Sequence, residues 1–234
     1  MIPKIIHYCW FGRGPMSELA NKCIASWKKY LPEYELRLWN EDTFDLESHP
    51  FTKEAYEARK FAFITDYVRL WALYNYGGIY MDTDVEVLGP LDEFLIHPAF
   101  SGFEDETHIP TGIMASEKNG VWAGEQLVYY DGRHFKLPDG TLDTTTNVVI
   151  MCQNMSAEGF VLKNSRQNFR GIIEIYPKDY FCPKSYVTGK IQLTANTRTI
   201  HHFAGSWHTP WQKFKMKIKP VLSKIGFLRL IGKA

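Results

Sequence analysis

The 234-residue sequence has few cysteines, no long apolar run and no acidic residue after position 207. Its four cysteines (Cys9, Cys23, Cys152, Cys182) lie far apart and form no C-x-x-C pair. That spacing fits neither a zinc site nor a secreted disulfide framework, and it points to a reducing compartment. No stretch reaches the roughly 18 apolar residues a membrane span requires. No secretory signal pattern opens the chain, because Met1-Ile-Pro-Lys leads straight into a strand-like run. A cytoplasmic protein is therefore expected. Internal repeats and low-complexity linkers are also missing, and the length suits a single domain with a large core.

The absence of acid after residue 207 makes the charge uneven. Residues 208–234 carry seven basic residues, leaving 20 basic against 26 acidic ones in residues 1–207, a net of −6. An acidic body argues against nucleic acid as a partner. The tail, WQKFKMKIKPVLSKIGFLRLIGKA, mixes lysines with apolar residues and is read as a basic amphipathic segment. Such segments gain roughly 1 kcal/mol per basic residue near an anionic membrane surface. A solvated, frayed terminus is the competing reading. Contact with the inner face of a membrane would suit an acceptor linked to lipid.

Aromatic residues are abundant at 15%; they fill cores and also stack on sugars and bases. Periodicity predicts strands at 2–10, 34–39 and 79–82, then short strands around SGF, TGIMAS, GIIEIYP and TRTIHHF. Helices are expected from a Ser17 cap to Tyr30, near 51–59, over 61–75, and around 119–130 and 146–157. Strands alternating with helices predict an α/β fold, with a mostly parallel sheet flanked by helices. Ligands of such sheets bind beyond the carboxyl ends of the strands, where Trp10, Asp82 and Asp84 fall.

The stretch Y-G-G-I-Y-M-D-T-D-V-E-V, residues 76–87, holds the densest chemistry. In an extended segment Asp82 and Asp84 share a face, about 7 Å apart at Cα, with Thr83 turned away. Two carboxylates this close raise each other's pKa unless a cation lies between them. Mg²⁺ or Mn²⁺ takes such oxygens, keeps several waters and completes its shell with substrate phosphate. A solvated surface turn is the plain alternative. Glu86 continues the alternation as a possible third carboxylate or an ordinary exposed glutamate. Upstream, Asp66 and Arg69 stand three apart on one face of an apolar helix. They form either a structural ion pair or a pair facing the crevice, with Asp66 binding sugar hydroxyls and Arg69 offsetting negative charge. His7 reads as a satisfied core histidine.

Taken together, IPKIIHYCWFG, DYVR with its Arg69 thirteen residues before Asp82, YGGIYMDTD and HHFAGSW resemble glycosyltransferase family 32. These are sugar transferases with a D-x-D region, related to initiating mannosyltransferases and to the catalytic domains of clostridial glucosylating toxins. The likeness covers about 2–90 and 195–207; residues 100–195 carry no motif that aligns. It implies a GT-A-type, Rossmann-like fold for residues 1–207, with 208–234 as a tail. It implies a metal-dependent, retaining transfer of a hexose from a nucleotide diphosphate sugar to a glycan or lipid-linked glycan, as in surface or capsular polysaccharide synthesis.

By the same resemblance Trp10 stacks on the base, Asp66 and Arg69 contact the donor sugar, and Tyr80 and Thr83 belong to the donor site. Asp82 touches ribose and sugar and Asp84 ligates the metal. His202, in an H-x-x-G arrangement, supplies a further ligand, which would favour Mn²⁺ over Mg²⁺. Ser206 and Trp207 close over the diphosphate, and His201, alternating to the other face, is structural. Thr111, Gly112 and Asn147 are candidates for reading the sugar. D-T-D-V also fits the opening of haloacid-dehalogenase-type phosphatases, although that motif normally ends the first strand. A non-catalytic sugar-nucleotide-binding protein is the third reading.

Overall fold

The computed structural model describes residues 1–205. Ser206, Trp207 and the basic tail 208–234 lie outside the described residues. In chain order the elements are β1 (Ile5–Cys9), α1 (Glu18–Tyr30), β2 (Glu35–Trp39), α2 (Pro50–Glu57), α3 (Phe61–Tyr76), β3 (Gly78–Met81) and β4 (Val85–Val87). There follow β5 (Ala99–Gly102), β6 (Ile113–Ser116), α4 (Val121–Val128), α5 (Asn147–Ala157), β7 (Gln167–Phe169), β8 (Ile173–Tyr176) and β9 (Thr199–His201).

Seven strands form one sheet in the order β2-β1-β3-β6-β5-β8-β7, and β4 pairs with β9 in a second, two-stranded sheet. The β1–β2, β1–β3 and β5–β8 pairs are parallel, whereas β6 and β7 run against their neighbours. Five of the seven strands therefore point the same way, and the expected α/β sheet flanked by helices is what forms. Among the described residues no helix is long and apolar enough to cross a membrane. The four thiols are all buried and free.

Local chemistry explains the elements that position the crevice. Ser17 caps α1 by accepting from the Ala20 amide at 3.1 Å. On the buried face of α1, Trp27 donates its indole N–H to the Val85 carbonyl at 2.7 Å. This ties α1 to the strand that follows Asp84, and truncating so large a buried side chain costs about 3–5 kcal/mol. Helix α3 is apolar nearly all round and is correspondingly enclosed. It ends where Gly77 and Gly78 adopt φ of 67° and 119°. A Cβ at Gly77 would stand 2.6 Å from the Lys118 amide, and one at Gly78 would stand 2.6 Å from the Ile5 carbonyl. Only glycine passes both constraints, so the helix turns directly into the central strand β3. His7, fully buried, meets the Gly77 carbonyl through Nε2 at 2.8 Å and accepts from Trp39 at Nδ1. Burial lowers its pKa to about 4, so it is the neutral core histidine expected.

Candidate active site

The carboxyl ends of β1 and β3 carry Trp10 and Asp82 to one edge of the sheet, as expected. The conformation between Asp82 and Asp84 differs from the extended one expected. Strand β3 stops at Met81 and β4 starts at Val85, and a turn closed by the Val85 amide on the Asp82 carbonyl, 3.0 Å, joins them. The tight connection between two sheets, not strand alternation, sets the two carboxylates side by side. Thr83 sits in that turn and makes no hydrogen bond among the described residues.

Each aspartate has its own support. Asp82 Oδ1 accepts the Tyr80 hydroxyl at 2.7 Å and lies 3.5 Å from Arg69 Nη2. Asp84 Oδ2 accepts the Ala204 amide at 2.7 Å, while its Oδ1 lies 3.4 Å from His201 Nε2. Burial works against ionising Asp84, but the adjacent imidazole and the Ala204 amide outweigh it and hold its pKa at about 2. Burial likewise opposes a charged His201; the Asp84 carboxylate overcomes it and raises that imidazole well above its ordinary value.

One oxygen from each aspartate and one nitrogen of His201 fall within 4.8 Å of one another. Two carboxylates and an imidazole suit a divalent cation of the Mn²⁺ type, with open positions left for water and phosphate. His201 faces the aspartates through Nε2, and its ring also meets the buried Cys182 thiol.

This placement corrects the histidine assignment. His202, the expected ligand, points its Nε2 at Glu86 Oε2, 2.8 Å away, and Glu86 also pairs with Lys22. Glu86 is thus neither a third carboxylate of the cluster nor freely exposed. Neighbouring strand residues face opposite ways, and the β4–β9 register, Val85 opposite His201, decides which one joins the aspartates. Gly112 makes room for it: a Cβ there would stand 2.8 Å from His201 Cε1. The Gly112 carbonyl also accepts the Asp82 amide at 2.8 Å.

Behind the aspartates lie Asp66 and Arg69, 8% and 5% exposed. Arg69 Nη2 is 3.1 Å from Asp66 Oδ1, Nη1 donates to the Thr111 carbonyl at 2.6 Å, and Nε donates to the Thr65 carbonyl at 3.1 Å. The guanidinium lies over the Tyr80 ring, 4.6 Å from its centre. Its N–H groups are thereby spent on fixing Asp66, Asp82 and the loop before β6. Burial raises the Asp66 pKa to about 6 despite the opposing charge of Arg69. Asn147, at the start of α5, donates to the Asp66 carbonyl at 2.7 Å and its amide approaches Asp66 Oδ2 at 3.4 Å. Thr111, Gly112 and Asn147 thus all stand at the site.

Trp10, half-buried past the end of β1, ties its indole N–H to the Gly14 carbonyl at 2.7 Å. Tyr80 is 1% exposed, so it orients Asp82 from beneath and does not itself line the crevice. Glu104, two residues past β5, was not anticipated. Its carboxyl shares the electrostatic surroundings of His201 and Asp82, and burial raises its pKa. Nothing in the local run F-E-D-E marks it out.

Residues 17–101 match the family model described as a glycosyltransferase sugar-binding region containing a DXD motif. Inositol phosphoceramide mannosyltransferase 3 of Schizosaccharomyces pombe is 32% identical over 124 residues, 50% of this chain and 34% of that protein. Mannosyl phosphorylinositol ceramide synthase SUR1 of Saccharomyces cerevisiae is 28% identical over 161 residues, 64% of this chain and 41% of that protein. The matched segments thus span about a third to two fifths of those relatives' length. A solved structure titled PaToxG Glycosyltransferase superposes with a TM-score of 0.49 at 19% identity, covering 68% of this chain and 69% of that one. Residues 17–101 are thus similar to a glycosyltransferase sugar-binding region containing a DXD motif, and part of the chain is similar to proteins named for mannosyl transfer.

Proposed function

We propose that the chain, through this sugar-binding region, transfers a hexose from a nucleoside diphosphate sugar to a hydroxyl of a glycan or lipid-linked glycan. The observation that carries the reading is the convergence of Asp82, Asp84 and His201 in front of the buried Asp66–Arg69 pair. Asp82, Asp84 and His201 would hold a divalent cation, Mn²⁺ or Mg²⁺. When bound, it supplies positive charge against the diphosphate leaving group.

The chain's own residues then orient and shield. Asp66, fixed by Arg69 and Asn147, presents its carboxyl to sugar hydroxyls. Arg69 holds Asp66 and Asp82 at a set separation and does not need to touch substrate. Tyr80 fixes the rotamer of Asp82, and Trp10 offers a ring for the base. In the transfer the bond between the anomeric carbon and the phosphate oxygen breaks, and a bond from that carbon to the acceptor oxygen forms. The acceptor proton passes to the departing phosphate, so retention needs no enzyme base.

The relatives named for mannosyl transfer to inositol phosphoceramide make a nucleoside diphosphate mannose the first donor to try and a phosphorylated lipid the first acceptor class. A role in surface or capsular polysaccharide synthesis and attachment of the tail to a membrane's inner face belong to the same proposal. The test is donor hydrolysis and transfer with Mn²⁺, comparing the wild type with Asp84→Ala. A loss of at least a hundredfold is expected; equal activity would remove the metal assignment, and release of phosphate from simple esters alone would favour a phosphatase.

A further inference from the structure

A small cavity adjoins the Asp66–Arg69 pair through Thr111 and Asn147, with about 10 Å³ open to the centre of a water molecule. That is room for a single oxygen-sized group. Leu70, Met114 and Met151 form its apolar wall, and Thr111, Asn147 and Gln126 supply its polar groups. Two of these are already tied to the site: the Thr111 carbonyl receives Arg69, and Asn147 holds Asp66. Gln126 is different. It is only 4% exposed, on the inner face of α4, and its buried Oε1 has no hydrogen-bond partner. A buried carboxamide oxygen left unmatched costs about 1–3 kcal/mol, so its place in the wall calls for a partner inside the cavity. The Thr111 hydroxyl likewise makes no hydrogen bond among the described residues.

Resting on the donor reading above, we propose that this cavity is a subsite for one hydroxyl of the donor hexose, read by Gln126 with Thr111 and Asn147. The carboxamide and hydroxyl can each donate or accept, which matches the two-way hydrogen bonding of a sugar hydroxyl. The wall admits a single oxygen and little more, so the subsite distinguishes sugars by the presence and direction of one hydroxyl. A site built to bond a hydroxyl rejects the analogue that lacks it, because its own polar groups are then stranded.

The test uses the full chain with Mn²⁺ and isothermal titration. Probes are UDP-glucose, UDP-galactose and GDP-mannose, the matching nucleoside diphosphates, and the four monodeoxy forms of whichever sugar donor binds. Gln126→Leu, close in shape but without the amide, is expected to weaken the intact donor about tenfold and leave the nucleoside diphosphate unchanged. Against one deoxy donor the same substitution should cost nothing further, the signature of a shared contact in a double-mutant cycle. Gln126→Glu, which keeps an acceptor oxygen in place, should lose less than Gln126→Leu; the diphosphate affinity reports that both variants remain folded. Additive losses for all four deoxy donors, or an equal loss for the diphosphate alone, would overturn the subsite while leaving the donor reading intact. Failure of every diphosphate and donor to bind wild type would overturn the donor reading and the subsite with it.

Discussion

Asp66 and Asp84 face the same crevice, yet opposite forces govern them. Asp66 is carried on an apolar helix, and burial dominates, raising its pKa to about 6 although a guanidinium touches it. Asp84 sits on a turn beside an imidazole and a backbone amide, which together hold its pKa at about 2. The first carboxylate is held in a buried scaffold by Arg69 and the Asn147 amide. The second belongs to the Asp82–Asp84–His201 cluster that we propose holds a cation. Stability should therefore depend on the inner pair and cation affinity on the outer cluster.

Breaking the inner pair gives the largest expected effect. Arg69→Met strands two carboxylates and should cost about 3–5 kcal/mol of stability, read by urea unfolding, together with all transfer activity. Arg69→Lys should recover little, since a single ammonium cannot reach Asp66, Asp82 and the Thr111 carbonyl together. In the outer cluster the separation should invert. Asp84→Asn should lower Mn²⁺ affinity more than tenfold while shifting the unfolding midpoint far less than Arg69→Met. Gly112→Ala sharpens the contrast further: its methyl collides with the His201 ring, and overpacking of this kind costs about 1–3 kcal/mol. Mn²⁺ binding measured by electron paramagnetic resonance should weaken in that variant although no ligand has been removed.

The smallest effect is a pH dependence. A carboxyl whose folded pKa is raised contributes stability that is complete below its unfolded value of 3.8 and is lost as pH rises toward 6. Arg69, Asn147 and Asp82 are the groups facing it. Asp66→Asn, which mimics the neutral acid, should gain on wild type between pH 4 and pH 7 by on the order of 2 kcal/mol. Unfolding free energies of both proteins at several pH values check it, and a difference that stays flat would show that Asp66 is not governed by burial.

Local sequence carried most of the scaffold. The Ser17 cap, the Gly77-Gly78 turn and the apolar α3 each state a short-range constraint, and all three form as read. His7 was also legible, as one polar residue within an apolar strand. The choice between His201 and His202 was not, because a motif spacing names a position and the β4–β9 register names a face. Tyr80 was read as a donor contact, but it is enclosed under Arg69 because its side of β3 packs on α3. The contributions of Asn147, and of Thr111 through a backbone carbonyl, join residues 81 and 42 positions apart, which no local pattern records. Gln126 had no signal at all, since a glutamine on an amphipathic helix ordinarily faces water.

Asp82, Asp84 and His201 are the cation site we propose for a sugar transferase. Mn²⁺ titration of wild type, His201→Ala and His202→Ala tests it most directly. His201→Ala should lose at least tenfold in affinity while His202→Ala keeps the wild-type value; loss in His202→Ala with His201→Ala unchanged would contradict it.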